Sequence, residues 1–135
     1  MDIDKKKIFI IDDDKFLLNM YARKLSNSGF EIESAENASD AFDRIRSGFT
    51  PDVFLVDVVM PGMDGLTFVK KIREEKLASR AKIIMLTNES DAPGIDMARK
   101  LGVDGYIIKA TSIPSEVVSR VREIMAGKKI FSDAF

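Results

Sequence analysis

The chain has no cysteine and no histidine. The first absence excludes disulfides and thiolate metal sites. The second removes the commonest general base and the commonest metal ligand. An excess of either charge is also missing: 21 Lys and Arg stand against 22 Asp and Glu, a formal net charge of −1. This balance does not favour nucleic acid or a membrane surface as a partner. No apolar run approaches the length of a membrane span, and the first residues carry no apolar signal core. The expectation is a soluble, cytoplasmic protein. Repeats, linkers and low-complexity stretches are absent as well. What is present is 135 residues with 45% hydrophobic content, enough for one domain with a proper core.

Strand and helix patterns alternate five times along the chain. Ile8 to Ile11 is a short apolar run, of the kind buried on both faces of a sheet. Lys15 to Ser28 carries Leu17, Met20, Tyr21 and Leu25 at helical spacing, and Gly29 follows as a stop. Strand patterns recur from Phe30, Val53, Ile83 and Gly105. Helical patterns recur from Ala38, after Asp64, near Pro93 and from Pro114. Asp14 and Asp64 read as helix N-caps. Only Gly127 to Phe135 looks like a tail, which divides the chain into a domain at 1–126 and a tail at 127–135, the possible start of a linker. Such alternation predicts an α/β fold: a (βα)5 doubly wound, five-stranded parallel sheet in the flavodoxin-like order 2-1-3-4-5, with right-handed crossovers.

That order gives the chemistry its place. Ligands bind outside the carboxyl ends of strands, where the strand order reverses. Asp12 and Asp13 follow strand 1 and Asp57 follows strand 3, its neighbour at the reversal. Thr87 and Lys109 end strands 4 and 5 on the same rim. Carboxylates crowd in this way when a hard cation neutralises them. Mg²⁺ fits best, because it takes one or two carboxylates and completes its shell with waters and phosphate oxygens. Phosphoryl transfer asks for little beyond positioning and charge neutralisation. A carboxylate can serve as nucleophile, giving an aspartyl phosphate, with Lys109 and Thr87 holding phosphoryl oxygens.

The "DD" after strand 1, the block D-V-V-M-P-G-M-D-G from Asp57, Thr87 after strand 4 and Lys109 after strand 5 form an ordered set. The set resembles the CheY-like receiver domain of two-component response regulators, over roughly Lys7 to Met125. The resemblance implies that Asp57 is the phosphoacceptor. It implies that Asp12, Asp13, Asp57 and the backbone carbonyl of Val59 bind Mg²⁺ or Mn²⁺. Thr87 and Lys109 would contact the phosphoryl group. Tyr106 matches a switch position whose ring turns inward when Thr87 is drawn toward the phosphate. The donor would be a phosphohistidine on a sensor histidine kinase or phosphotransfer protein, and this chain has no histidine of its own. The implied output is a phospho-dependent partner surface on the fourth helix, fifth strand and fifth helix, around Ile95, Tyr106 and Val118, for a downstream protein target the sequence does not identify. No enzyme activity is implied beyond assistance to the domain's own phosphoryl transfer and dephosphorylation. One departure is visible: the family commonly has a cis proline after the lysine, whereas here Ala110 follows and Pro114 comes later. A non-proline cis bond costs about 3–4 kcal/mol, so Lys109–Ala110 is expected to be trans.

Two other readings compete. D-D-D-K-F from Asp12 is near the D-x-D pattern of small haloacid-dehalogenase-type phosphatases, although Phe16 stands where Thr or Val belongs, and Asp57 is left without a role. The other is a receiver-like interaction scaffold that is never phosphorylated.

Overall fold

The computed structural model describes residues 5–131. Strands β1 (Lys7–Ile11), β2 (Glu31–Ala35), β3 (Val53–Val56), β4 (Lys82–Thr87) and β5 (Gly105–Ile108) alternate with helices α1 (Lys15–Asn27), α2 (Ala38–Arg46), α3 (Gly65–Glu74), α4 (Ala92–Lys100) and α5 (Pro114–Met125). A sixth strand, β6 (Ile130–Phe131), follows α5. All pairs are parallel, in the order β2-β1-β3-β4-β5-β6.

The five-strand expectation is therefore corrected to six strands among the described residues. Residues 130 and 131, assigned to a tail, pair with Gly105 and Tyr106 at the β5 edge. Gly127 makes this return by ending α5 with a positive φ of 112°. Its amide donates to the Ile124 carbonyl and the Lys128 amide to the Glu123 carbonyl, the two bonds of a Schellman cap. The remainder of the tail, 132–135, lies outside the described residues, as does 1–4 at the start of the domain.

Helices form where capping and spacing agree. Asp14, Asn37, Asp64 and Asp91 each accept an amide from the first turn of α1, α2, α3 and α4, as good N-caps do. At α5 the Glu116 carboxylate reaches back to the Ile113 amide at 2.9 Å. Alternation along the strands then divides the core into two layers. Ile8, Ile10, Val53, Leu55, Ile84 and Ile107 pack under α1 and α5. Phe9, Ile11, Phe54, Val56, Ile83 and Met85 pack under α2, α3 and α4. Burying each such side chain contributes about 1.5–3 kcal/mol. This two-sided burial holds the carboxyl ends of β1, β3, β4 and β5 rigidly along one rim. Among the described residues no helix is long and apolar enough to cross a membrane.

Candidate phosphoryl-transfer site

Strand register assembles the site. Ile11 pairs with Val56, and the Asp57 amide donates to the Ile11 carbonyl at 3.0 Å. Asp12 and Asp57 consequently leave neighbouring strands side by side. Asp13 joins them from the loop after β1. One carboxylate oxygen from each of Asp12, Asp13 and Asp57 lies within 4.8 Å of the others. Thr87 pairs with Ile108, so Lys109 emerges beside the end of β4. Asp12, Asp57, Thr87 and Lys109 are all buried, whereas Asp13 is exposed. Val59 sits two residues beyond Asp57, with its side chain in solvent.

Lys109 bridges two of the acids. Its Nζ lies 2.5 Å from Asp12 Oδ2 and 3.2 Å from Asp57 Oδ2. The second Asp12 oxygen accepts the Asp14 amide at 3.0 Å. Burial acts against the Lys109 ammonium, but its hydrogen bond to Asp12 and the charges of Asp57 and Asp12 outweigh that, and its pKa lies above the ordinary lysine value. Burial raises the Asp12 pKa, against the opposing pull of Lys109. One ammonium does not balance three carboxylates. Two like charges 4 Å apart repel by roughly 4 kcal/mol at an effective dielectric of 20. The donors are all carboxylate oxygens and one is open to water, the chemistry a hard divalent cation requires. The residues fit a metal ion.

Gly65 lets α3 start against this cluster. A Cβ there would collide with the Asp57 carbonyl oxygen, and the Gly65 amide donates to the Val58 carbonyl at 2.8 Å. Thr87 Oγ1 accepts the Glu89 amide at 3.3 Å, and the Glu89 carbonyl accepts the Tyr106 hydroxyl at 2.8 Å. Glu89 was not among the residues singled out from sequence, because its role is played by backbone atoms in an irregular loop. The Tyr106 ring is already fully inside, and Ile95 and Val118 are buried too. On the same face, Met97 of α4 is an exposed large hydrophobic residue. Among the described residues no peptide bond is cis, so Lys109–Ala110 is trans as expected, within a short 3-10 turn at Lys109–Thr111.

A parallel α/β sheet with acids at its switch point and a lysine two strands further on defines a class of phosphoryl-accepting signalling domains, and comparison with known proteins agrees. The family model of the response regulator receiver domain matches residues 8–122. The chain is 32% identical over 122 residues to the DNA-binding response regulator MtrA of Mycolicibacterium smegmatis, covering 90% of this chain and 51% of that protein. It is 30% identical over 125 residues to the alkaline phosphatase synthesis transcriptional regulatory protein PhoP of Bacillus subtilis, covering 93% and 50%. The CheY-like receiver domain protein of Methanospirillum hungatei superposes with a TM-score of 0.83 at 26% identity, covering 91% of this chain and 95% of that one. The chemotaxis protein CheY4 of Vibrio cholerae does so with 0.82 at 26%, covering 90% and 99%.

The chain belongs to the response regulator receiver domain family. It is a receiver domain of two-component signalling, a signalling domain rather than a classical enzyme, and the phosphatase alternative is set aside. It spans about half the length of the curated relatives it matches.

Proposed function

We propose that Asp57 accepts a phosphoryl group from a phosphohistidine on a sensor histidine kinase or phosphotransfer protein, and that the resulting acyl phosphate switches partner binding. The convergence of Asp12, Asp13 and Asp57 around the Lys109 ammonium carries this reading. An Asp57 carboxylate oxygen attacks phosphorus, the P–N bond of the donor breaks, and the departing imidazole keeps the electron pair and takes a proton. Asp57 suits the role of nucleophile because it stands between β1 and β4 at the switch point. Lys109 exchanges its contact with Asp57 for a phosphoryl oxygen, and the Thr87 hydroxyl donates to another. Asp12, Asp13, Asp57 and the Val59 backbone carbonyl would hold Mg²⁺ or Mn²⁺. Bound there, the ion supplies neutralisation of phosphoryl oxygens. The same residues would orient a water for hydrolysis of the acyl phosphate, so the domain assists only its own phosphorylation and dephosphorylation.

The surroundings support a protein donor. Phe16, Val59 and Ile113 are 76%, 57% and 60% exposed, and each lies within four residues after a site residue: Phe16 in the first turn of α1 after Asp13, Val59 after Asp57 and Ile113 after Lys109. Phe16 and Ile113 also line an apolar groove of about 640 Å³ with Met20 and Pro114. Apolar patches of this kind mark protein contacts. On this reading the protein works in the cytoplasm, touches no nucleic acid through this domain, and signals to a downstream protein through α4, β5 and α5.

Intact mass after incubation with acetyl phosphate and Mg²⁺ tests the proposal. One phosphoryl group should add to the wild-type chain and none to Asp57→Asn. Equal uptake by the variant would refute the assignment, and no uptake by either would favour the unphosphorylated scaffold.

A further inference from the structure

Five polar or charged side chains are buried among the described residues: Asp12, Asp57, Thr87, Lys109 and Ser112. The first four form the site already described. Ser112 does not belong to it, yet it stands three residues after Lys109 and is as deeply buried. Its neighbours Ala110, Thr111 and Ile113 are all exposed. One hydroxyl therefore turns inward from an otherwise solvent-facing loop. Burying a hydroxyl is unfavourable unless it is hydrogen-bonded, so its bonds show what it does there.

Those bonds lead from α5 to Lys109. The Ser112 hydroxyl accepts the Arg120 guanidinium of α5 at 3.4 Å. The Ser112 amide donates to the Lys109 carbonyl at 3.2 Å. The Thr111 hydroxyl donates to the Ile108 carbonyl at 3.3 Å. The carbonyls on both sides of the Lys109 α-carbon are thus held by the turn, and the turn is held by α5. Helix α5 is itself anchored: Val117, Val121 and Ile124 are buried, and Glu116 closes its first turn on the Ile113 amide. Ala110 leaves φ free where a proline ring would fix it, so the stiffness of this stretch comes from these bonds.

We propose that Ser112 is a positioning residue for Lys109: it anchors the Lys109–Thr111 turn to α5 and so keeps the ammonium aimed at the phosphoryl group. The proposal rests on Asp57 being the phosphoacceptor. The Lys109 ammonium has two carboxylate contacts, Asp12 and Asp57. Phosphoryl transfer makes it leave Asp57 for a phosphoryl oxygen, and Asp12 then remains as its carboxylate partner. A lysine is a point charge on a flexible stem, so at that moment its aim depends on the backbone behind it. Ser112 therefore acts during transfer. Metal binding draws on carboxylates at the ends of β1 and β3, which the turn does not supply.

Phosphoryl uptake from acetyl phosphate with Mg²⁺, followed by intact mass over time on the full chain, tests this. Ser112→Ala removes only the hydroxyl. A misplacement of about 1 Å costs about a hundred-fold in rate, and one lost tie moves Lys109 by less, so uptake should slow about ten-fold. Calorimetric titration with Mg²⁺ alone should show the variant binding no more weakly than wild type. Uptake at the wild-type rate overturns the role of Ser112 and leaves Asp57 as phosphoacceptor. Mg²⁺ affinity that falls by the same factor as uptake also overturns it, because the carboxylates rather than Lys109 would then have been displaced. A wild-type chain that gains no mass overturns the phosphoacceptor reading and this proposal with it. Ser112→Cys keeps the volume and offers only a weak acceptor; it replaces Ser112→Ala if that variant no longer melts cooperatively, with the same expected slowing and the same contrary results.

Discussion

Replacing Asp13 by Asn removes one negative charge and keeps the shape of the side chain. The three carboxylates bring oxygen atoms within 4.8 Å of one another. Unit charges at that distance repel by roughly 3.5 kcal/mol at an effective dielectric of 20. Asp13 is exposed, and screening by solvent reduces such terms to about 1 kcal/mol. Asp13→Asn should therefore stabilise the metal-free chain by about 1 kcal/mol, or about 4 °C in Tm for a chain of this size. With Mg²⁺ the order reverses. An ion that binds only the folded state stabilises it by about 2.7 kcal/mol at a hundredfold excess over Kd, and the variant should lose most of that. Urea unfolding followed by circular dichroism, once in EDTA and once in Mg²⁺, reads both signs. A variant no more stable than wild type in EDTA, or one that keeps the whole Mg²⁺ gain, would refute the idea that the three acids share one cation.

Gly65→Ala should cost about 1–3 kcal/mol by overpacking, because its Cβ meets the Asp57 backbone rather than a side chain that can move; denaturant melts check this, and an unchanged midpoint would show that α3 shifts freely. Tyr106 makes the alkaline limb of stability informative. Burial first, then the charges of Asp91, Glu89 and Asp57, push its pKa up to about 12 from 10.0. A raised folded-state pKa favours the neutral form in the folded chain, so this stabilisation is fully present below pH 10 and is lost as pH rises through about 12. Two pKa units correspond to about 2.7 kcal/mol. The stability difference between wild type and Tyr106→Phe should be constant up to about pH 10 and then shift by up to that amount in favour of the variant; parallel profiles through pH 12 would contradict the buried, neutral hydroxyl.

The positions of the candidate site residues were legible because two strong signals coincide. Short apolar runs such as Ile8 to Ile11 mark strands buried on both faces, and the carboxylates stand immediately after them, where a parallel sheet gathers its strand ends. The caps at Asp14 and Asp64 were legible for a similar local reason. Strand β6 was not. Two residues after a lysine pair carry no periodicity, and pairing with β5 alone makes them a strand. The hydroxyl contact of Tyr106 was hidden as well, since its partner is a backbone carbonyl in the loop at Glu89. Burial of Ile95 and Val118 escaped for a third reason: a helical pattern shows that a face is apolar, while the depth of each residue depends on the elements packed against it.

The central claim is that Asp57 carries the phosphoryl group, and chemical trapping tests it most directly. Hydride reduction of an aspartyl phosphate converts that aspartate to homoserine, which peptide mass spectrometry locates. After treatment with acetyl phosphate and Mg²⁺, then borohydride, homoserine should be found at position 57 alone. Homoserine at Asp12 or Asp13, or none in a chain that has gained the phosphoryl mass, would contradict the account.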